Sequence, residues 1–174
     1  RGRIKEDDSS IPTPDGPFAY FSRMLEGKQY PQLVRTPREG GEETVLIDCN
    51  IEAEGTEYFG FGGAGHSPDH KLMLWSADRK GSEFYTIVVR DLATGKELDD
   101  RIERSAGGGV WGNDSASFYY TELDDMHRPY RVLRHVLGTT QDQDEVIYEE
   151  KDPGFFVGIG RTLSRKYILI SAHD

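Results

Sequence analysis

Gly65-His66-Ser67-Pro68-Asp69 is the nearest approach this 174-residue chain makes to a hydrolase nucleophile elbow. Such an elbow, Gly-x-Ser-x-Gly, needs a glycine on each side because the serine sits on a sharp strand-to-helix turn. The second glycine is missing here, and Pro68 has no backbone N–H to offer an oxyanion hole. Ser67 therefore reads as the start of a turn. Gly60-Phe61-Gly62-Gly63-Ala64-Gly65 has the form Gly-x-Gly-x-x-Gly. A dinucleotide site requires that motif to open a helix facing the pyrophosphate, and here a turn-forming stretch follows. His66 and His70 have the i, i+4 spacing of zinc ligands on a helix, but Pro68 lies between them. Glu122, Asp124, Asp125 and His127 could face a hard cation, but the glycine and ligand series of a calcium loop are lacking. Asn113-Asp114-Ser115 has the form of a glycosylation sequon and reads better as an Asn/Asp turn. No catalytic, cofactor-binding or metal-binding residue is assigned on these grounds, and no cofactor is expected.

The elements that carry these residues form a repeat. A hydrophobic strand ending in a small hydroxyl residue recurs as Ala19-Tyr20-Phe21-Ser22, Leu72-Met73-Leu74-Trp75-Ser76, Phe118-Tyr119-Tyr120-Thr121 and Ile168-Leu169-Ile170-Ser171. From Ser22 to Ser76 is 54 residues, from Ser76 to Thr121 is 45, and from Thr121 to Ser171 is 50. An apolar pair and an arginine follow the first three anchors, ending at Arg35, Arg90 and Arg134, 13 or 14 residues on. A turn and a third strand come next, as in Thr44-Val45-Leu46-Ile47, Glu97-Leu98 and Glu145-Val146-Ile147-Tyr148. Before each new anchor lies a glycine-rich segment: Phe59–Gly62, Gly108–Trp111 and Phe156–Ile159. Four strands in about 40–50 residues is the mark of a β-propeller blade. The glycine-rich strand would be the innermost, where strands crowd the axis. The expected fold is all-β: a partial propeller of about three four-stranded antiparallel blades and the start of a fourth. Blade units fall at about 15–55, 56–105, 106–152 and 153–174, preceded by an extended arm over 1–14. No sustained helical period is present. Trp75 and Trp111 read as anchors packed between blades. Arg35, Arg90 and Arg134 read as covers of a blade edge through their aliphatic stems; the alternative is a row of guanidinium groups open to carboxylates.

Composition narrows the function classes. Thirty-one acidic residues against 21 basic ones give a net charge of −10, which argues against a nucleic-acid partner. No apolar run is long enough to span a membrane, and no signal-peptide pattern is visible. The single cysteine, Cys49, allows no internal disulfide and fits a reducing, cytoplasmic setting. Three and a fraction blades would leave open edges prone to self-association, so the segment is expected to belong to a longer polypeptide.

Further stretches carry a family resemblance. They are Ser67-Pro68-Asp69, Arg90-Asp91-Leu92-Ala93-Thr94-Gly95, Val110-Trp111-Gly112-Asn113-Asp114-Ser115, Arg134-His135-Val136-Leu137-Gly138-Thr139 and Ile147-Tyr148-Glu149-Glu150-Lys151-Asp152. The last two, in that order, are the most specific. With the opening Arg1–Asp8 they resemble the N-terminal propeller of the oligopeptidase B (protease II) group, in the prolyl oligopeptidase family of serine peptidases. The resemblance implies a seven-bladed ring capping an α/β-hydrolase domain with a Ser-Asp-His triad. It implies short peptides as substrates, cleaved after Lys or Arg, with the propeller restricting access. The triad and the acids that bind the basic side chain would lie in the hydrolase domain, so this segment alone is expected to be inactive. The alternative is a propeller scaffold that binds a protein partner. That reading expects a Gly-His/Trp-Asp signature or paired glycines at one blade position, whereas Gly40-Gly41 and Gly62-Gly63 fall at different positions.

Overall fold

The computed structural model describes residues 8–174; residues 1–7, half of the expected arm, lie outside the described residues. Two compact units are present, one ending at Thr56 and one running from Glu57 to Asp174. In the first, β1 (Asp8–Ser9), β2 (Thr13–Asp15), β3 (Phe18–Met24), β4 (Gln32–Pro37) and β5 (Thr44–Asp48) form one antiparallel sheet. β3 is its centre: β1 and β2 pair along one side and β4 along the other. A four-residue helix, α1 (Cys49–Glu52), follows, which no periodicity in the sequence announces. Its cause is local. Asp48 caps it by accepting from Asn50 N at 2.9 Å, while Gln32 holds the other carboxylate oxygen at 2.6 Å.

The second unit holds two complete blades and a hairpin. The first blade is β6 (Gly60–His66), β7 (Leu72–Asp78), β8 (Tyr85–Asp91) and β9 (Glu97–Ser105). The next is β10 (Val110–Trp111), β11 (Ser117–Leu123), β12 (Pro129–Val136) and β13 (Glu145–Glu149), with a 3-10 turn at Gln141–Gln143. The hairpin is β14 (Phe156–Arg161) and β15 (Ile168–His173). Each strand pairs antiparallel with the next within its blade. One extra bridge, Ser105 opposite Glu122, joins β9 to β11, so a single sheet runs through both blades. Two expected strands change length. The one expected at Glu97-Leu98 extends to Ser105. The one expected at Gly108–Trp111 shrinks to Val110-Trp111, because Gly107 and Gly108 take φ of +86° and +70° and turn the chain instead.

The β7 run Leu72–Trp75 is apolar because the strand is buried on both faces. Leu74, paired with Val89, lies on one face with Ile87 and Ile102; Trp75 and Val88 lie on the other. The hairpins repeat as faithfully as the strands. In the three that lead from β6 to β7, β10 to β11 and β14 to β15, the fourth turn residue has positive φ: His70 at 63°, Ser115 at 53° and Arg165 at 59°. The same two hydrogen bonds close each turn, as in Ser67 N to Leu72 O and His70 N to Ser67 O, both 2.9 Å. Thr162 N to Tyr167 O and Arg165 N to Thr162 O repeat them at 3.0 and 2.8 Å.

Aspartates organise most of the turns. Asp78 accepts from Lys80 N and Glu83 N at 2.8 and 2.7 Å, and Asp124 from Met126 N and Arg128 N at 2.9 and 3.0 Å. Asp114 takes Ala116 N and Ser117 N, both at 3.0 Å. Burial pushes these three carboxyls up, but the donated hydrogen bonds outweigh it and hold them below the ordinary range. At Asp91 the N–H groups of Thr94 and Ala93 are the leading cause of the same shift.

The Gly60–Gly65 run is thus a strand pressed against its neighbours. A Cβ on Gly62 would stand 2.4 Å from Tyr85 Cδ1 and 2.5 Å from Ser76 Oγ, whereas one on Gly65 would meet nothing within 4 Å. Gly62→Ala is therefore expected to lower stability by about 1–3 kcal/mol through overpacking, and Gly65→Ala to leave it unchanged or slightly raised. Chemical denaturation of the two variants measures this, and equal effects would refute the strand packing.

Candidate functional site

The chemical side chains converge at the seam between the two complete blades, where each buries a face against the other. Leu74, Ile87, Val89 and Ile102 from one blade meet Trp111, Phe118, Tyr120 and Leu133 from the next in a single buried cluster. Trp111, 3% exposed, turns its edge to Phe118 with ring centroids 5.8 Å apart. Its Nε1 donates to Gly65 O at 2.8 Å, tying the inner strand β10 to β6. A second tie runs from Gly108 N to Ser76 Oγ at 2.9 Å.

A polar clasp closes the outer part of the seam. His135, fully buried on β12, faces a carboxylate with each ring nitrogen: Asp144 Oδ1 lies 2.6 Å from Nδ1 and Asp100 Oδ1 3.0 Å from Nε2. Asp100 belongs to β9 of the preceding blade, and Asp144 leads into β13 of His135's own blade. Gly138 N donates to Asp100 at 2.6 Å and the Tyr120 hydroxyl to Asp144 Oδ2 at 2.8 Å. Burial first, then the Asp144 carboxylate, holds the Tyr120 hydroxyl protonated far above the ordinary phenol range. An Asp-His pair alone does not make a catalytic base. Both nitrogens here are taken by carboxylates and solvent has no access, so the group fastens one blade to the next.

The other sequence candidates lie in turns and packing contacts, with His66 and His70 brought side by side. Ser67 is fully buried; its hydroxyl donates to Asp69 at 2.6 Å and accepts from Leu72 N at 3.0 Å, completing a turn. His66 and His70 stack with centroids 5.2 Å apart, one at a strand end and one in the turn. In the acidic hairpin, Asp124 is bonded to Arg128 Nε at 3.0 Å and His127 Nε2 lies 2.8 Å from Ser82 O. Trp75 is 2% exposed, with the guanidinium groups of Arg79 and Arg90 at 5.9 and 5.3 Å from its ring. The repeating arginines each bind within their own blade. Arg35 lies over the Phe18 ring at 4.0 Å, Arg90 meets Glu97 at 3.2 Å, and Arg134 meets Ser117 at 3.4 Å. Sequence reasoning missed the role of His135, Asp100 and Asp144. The available signal was a histidine two residues after Leu133, in phase with the inward face of β12.

These features define a class: sheets in series, packed face to face through their inner strands, as in propeller blades. The comparisons make it particular. The family described as "Prolyl oligopeptidase, N-terminal beta-propeller domain" matches residues 1–174. The chain is 33% identical to dipeptidyl aminopeptidase BI of Pseudoxanthomonas mexicana over 99% of its length, and 32% identical to protease 2 of Moraxella lacunata over 97%. It covers 26% of each of those proteins. Among solved structures it superposes on oligopeptidase B of Leishmania major with a TM-score of 0.92 at 30% identity, covering 98% of this chain and 24% of that one. For the Trypanosoma brucei oligopeptidase B bound covalently to antipain, the TM-score is 0.87 at 32% identity, with the same coverage. The chain belongs to the prolyl oligopeptidase family and is part of its N-terminal β-propeller.

Two losses test the seam. Trp111→Ala removes a buried ring and the bond to Gly65, and an unfolding free energy lower by about 3–5 kcal/mol is expected; an unchanged thermal midpoint would make Trp111 a surface residue. Asp144→Ala leaves His135 and Tyr120 unsatisfied in the interior and is expected to cost about 3–5 kcal/mol. Tyr120→Phe, which removes one hydroxyl, should cost about 1–3 kcal/mol. If Asp144→Ala costs no more than Tyr120→Phe by denaturant titration, the clasp is not a unit.

Proposed function

We infer that this chain is the non-catalytic gating part of a serine oligopeptidase that cleaves short peptides after Lys or Arg. The catalytic triad is assigned to an α/β-hydrolase domain of the same polypeptide, outside these 174 residues. The observation that carries the reading is the likeness to the two oligopeptidase B structures, of which this chain covers only 24%. The local chemistry supports it. The one serine that resembles a nucleophile, Ser67, is buried in a turn, and the buried histidine is spent on two carboxylates. A stiff seam is what a gate needs: peptides are sorted by size only if the blades hold their spacing.

A cytoplasmic setting belongs to the same proposal and rests on Cys49 being the single cysteine of these 174 residues, which allows no disulfide within them. So does self-association of the isolated segment. Leu169 and Phe156 of the β14–β15 hairpin are 55% and 43% exposed, and Val146 on β13 is 47% exposed. Among the described residues no helix is long and apolar enough to cross a membrane.

The test compares the longer polypeptide with the 174-residue segment on peptides carrying Lys or Arg before the scissile bond. The longer protein is expected to cleave them and the segment to cleave none. Turnover by the segment, abolished by Ser67→Ala, would overturn the assignment.

A further inference from the structure

We propose that a cleft between the β10–β13 blade and the β14–β15 hairpin binds the C-terminal carboxylate of a peptide. The proposal rests on the reading that this propeller belongs to a peptidase. The cleft has a volume of about 320 Å³ and lies where the β10–β11 and β14–β15 turns come together. Arg134, Arg161, Arg165 and Lys166 line it against one acid, Asp114. In a chain of net charge −10 that is a local excess of positive charge.

The lone acid is already committed. Asp114 Oδ1 accepts from Ala116 N and Ser117 N at 3.0 Å, and Oδ2 from the Ser117 hydroxyl at 2.9 Å with Arg134 Nη2 at 3.5 Å. Arg161 meets no carboxylate among the described residues. Its guanidinium is held instead by neutral acceptors, the Asn113 side-chain oxygen and, at 3.2 Å, the backbone carbonyl of Arg165. Those contacts fix its direction without neutralising it. Lys166, on the exposed side of the turn, likewise meets no carboxylate among the described residues. A preoriented guanidinium beside an ammonium, each lacking a counter-charge, suits a carboxylate.

The rest of the lining selects the kind of carboxylate. Tyr119, Tyr167 and Ile168 border the same cleft. They offer apolar surface to a group attached beside the anion, which the last residue of a peptide supplies and inorganic phosphate does not. β14 packs against β10, β11 and β12, so the ligand would also rest on both walls of that seam. The anchored end would leave the rest of the peptide free to reach a distant active site.

The experiment uses the intact polypeptide and one basic peptide made in two forms, with a free C-terminal carboxylate and as the C-terminal amide. Steady-state hydrolysis and equilibrium fluorescence anisotropy are measured for wild type and for Arg161→Gln/Lys166→Gln, with inorganic phosphate as competitor. The expected result is a KM and Kd about 10-fold lower for the free acid in the wild type, a difference that disappears in the double variant while kcat is unchanged. Phosphate should weaken binding of the acid and not of the amide. If acid and amide behave alike in the wild type, or the preference survives in the variant, the proposal is overturned. That includes the case in which phosphate binds regardless and the cleft takes inorganic anions only. A lowered thermal midpoint with unchanged discrimination would make the cluster an interdomain contact and also overturn it. Cleavage of both peptides without discrimination rejects this site and leaves the peptidase reading standing. Cleavage of neither rejects the peptidase reading, and the anisotropy arm still decides the site. If the double variant does not fold, the single exposed substitution Lys166→Gln carries the same comparison.

Discussion

A single four-stranded sheet cannot bury its own apolar face, so each blade of this chain depends on the next one. The constraint is met most fully where Leu74 and its neighbours lie against Trp111 and Phe118. Burial of apolar surface supplies the attraction and has no direction of its own. Direction comes from the polar ties at the two ends of the seam. Near the inner strands, Trp111 Nε1 reaches Gly65 O and Gly108 N reaches Ser76. At the outer side, His135 joins Asp100 of one blade to Asp144 of the next. Close approach of the two blades near their inner strands also demands residues without side chains: a Cβ on Gly107 would stand 3.1 Å from Gly62 O of the preceding blade. The glycine-rich run, the buried tryptophan and the specific Arg134–Thr139 motif are three consequences of one packing requirement.

The acidic composition has a structural origin of the same local kind. Tight turns between short strands leave backbone N–H groups without ladder partners, and each must be satisfied. A short side chain with two acceptor oxygens does this well, and Asp78, Asp91, Asp114 and Asp124 are used in that way. The net charge of −10 therefore reflects in part how the hairpins are closed. Against that background the cations at Arg161 and Lys166 stand out because neither meets a carboxylate among the described residues. If the propeller gates a peptidase as proposed, the seam sets the spacing of its blades and the cleft by β14 adds to its surface charge.

The repeat was legible in the residues alone. Alternating apolar strands, turns closed by Gly and Asp, and anchors at Ser22, Ser76, Thr121 and Ser171 are local signals, and local sterics and hydrogen bonding express them wherever the segment sits. The turn reading of Ser67 was equally local, since Pro68 and the missing glycine rule out an elbow. The short helix at Cys49–Glu52 was not legible, because its cap is completed by Gln32 from another strand. Nor was the extension of β9 to Ser105, which pairs with Tyr85 of β8 on one side and Glu122 of the following blade on the other.

The same boundary divides the chemistry. That Trp111 and Trp75 would be buried followed from large aromatics within strands, but that Trp111 would bond to Gly65 depended on two blades meeting at one angle. His135 could be seen as part of a motif. That its two nitrogens face Asp100 and Asp144, 35 and 9 residues away, was decided only when β9 and β12 were folded against one another. Arg161 and Lys166 are unremarkable in the sequence of a charged hairpin, and the cleft they share with Arg134 exists only because the turns of two successive repeats come together. The sequence by itself determined what each segment becomes, since strand and turn preferences act over a few residues. The tertiary structure alone decided which distant charges and rings meet, since those contacts belong to neighbouring blades and to no single segment.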